Sequence, residues 1–262
     1  MTAPVTAIDL GRIDPASALA WDEALVRAPL HDPTLLLWRT DPAVVIGRFQ
    51  RADWEVDAAA CRQRDVRVWR RFTGGGAVHL DGGTLCIALA WPAGHAWSLA
   101  GVPEMYDPLL DGIVRACALC GVAAVRDQRT VRIAGRKVTG IAAHRGRDAM
   151  IVHGTLLIDA DLDSLRACLA GAREGDLQGL PRPAASRPDS VANVGGSGWE
   201  EAMIAAFAGR PGRPTAAQAE SMKRLRAEKY HDPAWHAGSW SSVTAATVRA
   251  LLGPARSAAP LH

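Results

Sequence analysis

Arg70-Arg71-Phe72-Thr73-Gly74-Gly75-Gly76-Ala77-Val78-His79-Leu80-Asp81-Gly82-Gly83 leads two adjacent guanidinium groups into three consecutive glycines. Such a run bares backbone N–H groups and removes every Cβ that would keep an anion away. Arginine adds planar, permanently charged donors suited to phosphate or carboxylate. Glycine triplets also form turns and flexible linkers. This one lies between two apolar runs, Val66 to Trp69 and Leu85 to Trp91. A turn needs no arginine pair, so the stretch reads as an anion cradle joining two strands. Neither G-x-x-x-x-G-K-[ST] nor a G-x-G-x-x-G opening a helix is present.

A second glycine-flanked cation follows at Gly135-Arg136-Lys137-Val138-Thr139-Gly140. Arginine is plentiful in the chain, yet lysine occurs only at Lys137, Lys223 and Lys229. A solvated hairpin lysine is common. A sequence that prefers arginine and keeps lysine here has a use for a compact ammonium, which stabilises charge developing at an acyl carbonyl or phosphoanhydride. His153-Gly154-Thr155 reads as an interruption in an apolar strand, where glycine lets a ligand approach the backbone. The histidine is either a ligand contact or a satisfied core group. Asp81 either orients the loop or is an ordinary turn aspartate.

Outward from these motifs, Ala16 to Arg27 reads as a helix with Asp14 as N-cap and Pro15 in its first turn. Leu35 to Arg39 and Val44 to Ile46 read as strands either side of Asp41-Pro42. Val56 to Arg64 reads as helix, and Val66 to Arg70 as the strand delivering the glycines. Thr84 to Trp91 alternates large and small residues, which predicts a half-buried strand whose small face leaves room for a ligand. Met105 to Cys120 is an amphipathic helix. Val131 to Ile133 and Val138 to Ala142 flank the lysine hairpin. Ala149 to Ile158 is a strand, and Leu162 to Ala170 a helix with aspartates at its start. Gly171 to Gly198 reads as loops, Trp199 to Ala208 and Ala216 to Glu228 as short helices, and Ser257 to His262 as a frayed tail. The expectation is an α+β fold, a largely antiparallel or mixed sheet flanked by helices. The catalytic domain is expected over residues 1–209, with a helical extension packed on it over 210–262.

Composition adds boundaries. The 262 residues, 48% hydrophobic, suffice for a substantial core. A net charge of +3 is no footprint of a nucleic-acid binder. The five cysteines include one C-x-x-C pair, Cys117 and Cys120. A zinc site would want a second pair or spaced histidines, so no metal ligands are assigned. Cys168 could be an acyl nucleophile, but it stands mid-helix among apolar neighbours and reads as core. Without an apolar leader or spanning run, the expected location is cytoplasmic, with no membrane contact.

These motifs resemble the lipoate–protein ligase A family of the biotin/lipoate ligase superfamily, over about Ala16 to Asp163. Ala18 to Leu25 resembles its first helix, and Val45-Ile46-Gly47-Arg48-Phe49-Gln50 its Gly-Arg-Phe-Gln strand end. Arg70 to Asp81 resembles its Arg-Arg-x-Ser-Gly-Gly-Gly-Ala-Val signature. The segments at Gly135 to Gly140 and His153 to Leu157 follow in order, and Ser190 to Val194 is a weaker match. The resemblance implies a class II synthetase-like domain that uses ATP with Mg2+ to convert lipoate to lipoyl-AMP. The acyl group then passes to a lysine in a lipoyl domain of a 2-oxoacid dehydrogenase or in the glycine cleavage H protein. It implies Lys137 as the catalytic group. Nucleotide and adenylate contacts are implied at Arg71, Thr73, Gly74, Gly75, Gly76, Ala77, Val78, His79, Asp81, Thr139 and Gly140. A lipoyl pocket is implied at Leu80, Thr84, His153, Gly154 and Thr155. Three positions depart from the pattern: Leu80 stands where the family has histidine, Thr84 where asparagine is common, and Arg129-Thr130 where Asn-Asp is common. The chain is short for a full accessory domain, which some members receive as a separate chain. Octanoyl or lipoyl transfer from a preformed donor, and a non-catalytic adenylate-binding module, are the rival readings. Biotin ligation lacks its Gly-Arg-Gly-Arg type loop here.

Overall fold

The computed structural model describes residues 4–99, 101, 104–169 and 191–237. The loop reading of 171–190, Ser190 and the tail at 257–262 lie outside them. Strands β1 (Thr6–Arg12), β2 (Thr34–Arg39), β6 (Thr84–Pro92), β10 (Thr139–Arg145), β11 (Ala149–Leu157) and β12 (Arg210–Pro211) build one sheet in the order β10-β11-β6-β2-β1-β12. The pairs β10/β11, β11/β6 and β6/β2 are antiparallel, while β2/β1 and β1/β12 are parallel. Parallel neighbours need a crossover, and helix α1 (Pro15–Arg27) supplies the one between β1 and β2. Its N-cap Asp14 accepts from Ser17 N at 3.0 Å, a cap that contributes about 1 kcal/mol.

Two three-stranded sheets complete the frame. One orders β4 (Arg67–Arg70), β3 (Ala43–Ile46) and β5 (Val78–Leu80) as β4-β3-β5. The other runs β7 (Val125–Asp127), β8 (Thr130–Ile133), β9 (Arg136–Lys137) in sequence order. Helices α2 (Ala52–Glu55), α3 (Ala58–Gln63), α4 (Asp107–Leu119), α5 (Leu162–Cys168), α6 (Trp199–Ala206), α7 (Ala216–Leu225) and α8 (Pro233–Ala237) cover the sheets. A wide turn, Arg226–Tyr230, links α7 to α8.

The main sheet is sandwiched between helices. Leu85, Ile87, Leu89 and Trp91 of β6 join the core formed with α4 and α6. Cys86, Ala88 and Ala90 face α1, whose Ala16, Ala18, Ala20 and Ala24 are buried against them. Small residues on both sides let that helix come close. The alternation in β6 therefore marks two helix layers of different depth, not one covered and one open face: Thr84 to Trp91 is buried throughout, as a central strand with both faces packed should be. Trp91 is wholly buried, with its indole N–H donating to Ser98 Oγ at 3.1 Å. Truncating it to alanine would cost about 3–5 kcal/mol.

Other expectations shift. β2 and β3, the strands expected either side of Asp41-Pro42, belong to different sheets. The helix expected over Val56 to Arg64 is shorter, because Val56 is extended and Asp57 caps a new start. The amphipathic helix opens with a separate tight turn, Glu104–Tyr106. His153-Gly154 does not interrupt β11; a Cβ at Gly154 would lie 2.6 Å from Gly140 O, so glycine lets β10 pair without a bulge. β12 and α8 carried no strong local signal.

Candidate functional site

The glycine loop leaves β4 and returns in β5, and Arg71 governs its shape. Nε of Arg71 donates to Thr73 Oγ1 (3.0 Å) and Gly74 O (3.1 Å), Nη1 to Val45 O (3.2 Å), and Nη2 to Gly74 O (2.6 Å) and Gly76 O (2.8 Å). A trans peptide points its C=O and the next N–H in opposite directions. Turning the carbonyls of Gly74 and Gly76 toward the guanidinium therefore turns the N–H groups of Gly75 and Ala77 away from it. Burial lowers the Arg71 pKa to about 10, with Asp22 opposing, so it stays cationic at neutral pH. Gly75 has φ +89°, and its carbonyl lies where a Cβ on Gly47 would be, at 2.2 Å. Arg70 corrects the expectation that both guanidiniums face an anion. Its fork is spent on backbone carbonyls of the Gly47–Gln50 turn and of α8.

The lysine hairpin turns at Ala134 and Gly135, both at positive φ. Lys137 pairs with Arg132 across β8/β9, and its carbonyl accepts from Ala192 N at 3.0 Å. The side chain is half-buried. Burial first, then the Arg132 cation, pulls its pKa below the usual lysine range. Thr139 is tied down, with Oγ1 accepting from Val131 N at 3.1 Å. Thr155 Oγ1 accepts from Gly140 N at 3.1 Å.

Both motifs wall one cavity of about 150 Å³, roughly ten times what a single water needs. One end packs against the α1 core, through Leu19, Trp38, Val45, Leu80 and Cys86. There Asp22 Oδ2 lies 2.6 Å from His153 Nδ1, Trp38 Nε1 donates to Asp22 Oδ1 at 3.0 Å, and His153 Nε2 lies 2.7 Å from Thr73 Oγ1. With the neutral His153 carrying its proton on Nδ1, toward the Asp22 carboxylate, the donors run in one direction: Arg71 to Thr73, Thr73 to His153, His153 to Asp22. Each polar atom of this chain has a partner, as burial demands.

The other end packs against α5 and the following segment, through Leu157, Leu165, Leu169 and Val191. Lys137 stands here, bridged to Val191. So does His79, 2% exposed, with no hydrogen-bond partner on either ring nitrogen among the described residues. Asp81 Oδ2 is 4.0 Å from its Nδ1, beyond hydrogen-bond reach. Burial lowers the His79 pKa, with Asp81 and Asp161 opposing. A neutral imidazole offers one donor and one acceptor.

Of the residues expected in the site, Arg71, Gly76, Ala77, Val78, His79, Leu80, Lys137, Thr139, Gly140, His153, Gly154 and Thr155 line this cavity. Thr73, Gly74, Gly75, Asp81 and Thr84 do not. Thr73 and the first two glycines lie behind the wall on the Arg71 network. Asp81 is held by Gly83 N, Thr84 Oγ1 and Asp161 N, at 2.9, 3.1 and 2.7 Å, so the Thr84 hydroxyl is engaged in the turn. Asp22 and Trp38 were missed. The available signal was a carboxylate pair, Asp22-Glu23, on an otherwise apolar helix; both are buried. Glu23 accepts from Lys229 Nζ and from Tyr230 Oη, the latter at 2.7 Å.

Cys168 is not among the cavity residues. It packs with Cys61 in a separate apolar cluster, and interaction between the two thiols lowers the Cys168 pKa while raising that of Cys61. Cys86 does line the cavity, but burial pushes its thiol well up. Asp22 is the sole carboxylate among the described cavity residues, and both its oxygens are engaged. The described cavity residues therefore offer no free carboxylate oxygen to a protein-held Mg2+, whose usual ligands are one or two carboxylates together with substrate phosphates. No described helix is long and apolar enough to cross a membrane.

A model of the lipoyl protein ligase A/B catalytic domain matches residues 14–207. The chain is 30% identical over 132 residues to a probable lipoate-protein ligase A of Mycoplasma pneumoniae, a stretch that is 50% of this chain and 38% of that relative. Among solved structures it is similar to a bipartite lipoate protein ligase, described with its E2 lipoyl domain, from Thermoplasma acidophilum. The TM-score is 0.79 at 26% identity, over 92% of this chain and 99% of that one. It is also similar to a lipoate-protein ligase A bound with ATP, with a TM-score of 0.75 at 25% identity, over 91% of this chain and 99% of that one.

Proposed function

We propose that this chain, which belongs to the lipoyl protein ligase A/B catalytic-domain family, acts as a lipoate–protein ligase with ATP as the activating substrate. The observation that carries the reading is the shared cavity: Lys137 and the Gly76 to Leu80 segment line a space whose far end is an apolar slot. The solved relatives named for bound ATP and for an E2 lipoyl domain supply the substrate classes.

In the first step a lipoate carboxylate oxygen forms a bond to the α-phosphorus and the bond to the β-phosphate bridging oxygen breaks, releasing pyrophosphate. Two anions must meet, so a cation between them lowers the barrier. Lys137 is that cation, and Thr139 and Gly140 hold its strand. Arg71 fixes the loop that presents the amide of Ala77 and the edge formed by Val78. Leu80, His153, Gly154 and Thr155 bound the acyl slot. In the second step an acceptor lysine amine attacks the acyl carbonyl, AMP leaves, and the amine proton passes to solvent. The acceptor is a lipoyl domain of a 2-oxoacid dehydrogenase or the H protein. No step is assigned to a protein-held divalent ion.

Incubation with ATP, lipoate and a panel of apo-acceptor domains, read by intact mass, tests the proposal; an acceptor that gains one lipoyl group only when ATP is present supports it. Unchanged turnover in Cys168→Ser would remove the thiol-dependent transferase. Tight lipoyl-adenylate binding without turnover would favour the binding module instead.

A further inference from the structure

The last described segment of the chain grips the start of the glycine loop. Residues 226–237 lie beyond the 14–207 span that the family model matches, yet they hold Arg70 on both its backbone and its side chain. Arg70 N donates to His236 Nδ1 at 3.0 Å, and Trp235 Nε1 donates to Arg70 O at 2.8 Å. The Arg70 fork reaches Trp235 O, His236 O and Ala237 O on one side. On the other side Nη1 reaches Gly47 O (3.1 Å), Arg48 O (3.1 Å) and Gln50 O (2.6 Å). His236 is 6% exposed, packs edge-on against Trp69, and its Nε2 lies 3.0 Å from Tyr230 O. With Nε2–H donating to that carbonyl, Nδ1 is left as the acceptor Arg70 requires.

The next residue after Arg70 is Arg71, whose fork sets the carbonyls of Gly74 and Gly76. The chain of contact is therefore continuous: C-terminal hook, Arg70 backbone, Arg71 guanidinium, glycine loop. Arg71 N is fixed independently by Ile46 O at 3.0 Å, so the hook and β3 pin the two arginines from opposite sides. We propose that Trp235 and His236 are positioning residues that set the register of the glycine loop, and through it the nucleotide half of the site, without touching substrate.

The kinetic arm of the test rests on the ligase reading; a structural arm does not. The full-length chain would be compared with His236→Leu, which removes the acceptor, and His236→Asn, whose Oδ1 replaces Nδ1. In lipoate-dependent exchange of pyrophosphate into ATP, His236→Leu should lose at least about tenfold in kcat/KM for ATP, since sub-ångström misplacement of a positioned group is enough for that. KM for lipoate should stay within about twofold, and His236→Asn should recover most of the loss. Amide hydrogen exchange in the peptide spanning 71–80 should quicken in His236→Leu and return in His236→Asn. Unchanged exchange in that peptide would overturn the inference. So would a loss shared equally by ATP and lipoate and matching the unfolded fraction by circular dichroism. If the wild type does not exchange pyrophosphate either alone or with a separate accessory-domain chain, the ligase reading fails, and the amide data alone decide this one. Should His236→Leu not fold, Trp235→Phe removes a single hydrogen bond and is held to the same two readouts.

Discussion

The two ends of the cavity are built on opposite principles. At the α1 end every polar group is paired: Arg71, Thr73, His153, Asp22 and Trp38 form one chain of contacts of 3.0 Å or less. At the α5 end His79 is buried with neither ring nitrogen partnered, and Lys137 is partly desolvated beside another cation. A satisfied buried network rigidifies and selects by shape. An orphaned polar group costs stability until a ligand completes it. On the proposed ligase reading, the first end selects the acyl chain and the second receives the reacting phosphate and carboxylate.

Lys137→Ala is the hardest test of that division. Turnover should fall by about 10²–10³-fold, the usual loss for a preorganised charge stabiliser, while the thermal midpoint stays put; lipoylation of an acceptor at wild-type rate would break the assignment. His153→Ala attacks the paired end. It strands the Asp22 carboxylate, so stability should drop by about 1–3 kcal/mol and KM for lipoate should rise several-fold, measured by urea unfolding and steady-state kinetics. His79→Phe should do the reverse: stability unchanged or slightly higher, with KM for ATP raised a few-fold. If His79→Phe destabilises as His153→Ala does, the two ends are not different in kind.

The subtlest effect is on pH. In the proposed reaction Lys137 acts protonated, the form present below its folded pKa, and that pKa is depressed by burial and then by Arg132. Activity is therefore lost as pH rises through a value lower than that of free lysine. Arg132→Gln removes one depressing cation, so the alkaline limb of the pyrophosphate-exchange profile should move to higher pH. A limb that stays in place would detach Lys137 from Arg132.

What was legible in the chain follows how locally each feature is encoded. Gly74 to Gly76 and Lys137 announce themselves because a bare backbone and a rare ammonium are properties of a few consecutive residues. Asp14, Pro15 and the alternation of Thr84 to Trp91 likewise placed α1 and β6. The covering of both β6 faces was not legible, since alternation of size does not say what lies opposite. Asp22 was passed over as part of a helix; only folding brings it beside His153, 131 residues later. The role of Arg70 was misread for the same reason. Next to glycines it looks like an anion ligand, and its actual partners are carbonyls brought by tertiary structure. Histidine at 79 and not at 80 matters because adjacent strand positions point to opposite faces, sending Leu80 to the α1 core and the imidazole to the α5 end.

The bonds between Arg70 and the hook span a separation of 165 to 167 residues. Synthesis is vectorial, at about 5–20 residues per second, and contacts this distant in sequence form late. A nascent chain with both glycine motifs already outside the ribosome still lacks the partners of that guanidinium until residue 237 has emerged. The anchor of the glycine loop is thereby completed only once the segment Trp235 to Ala237 is available, later than either glycine motif.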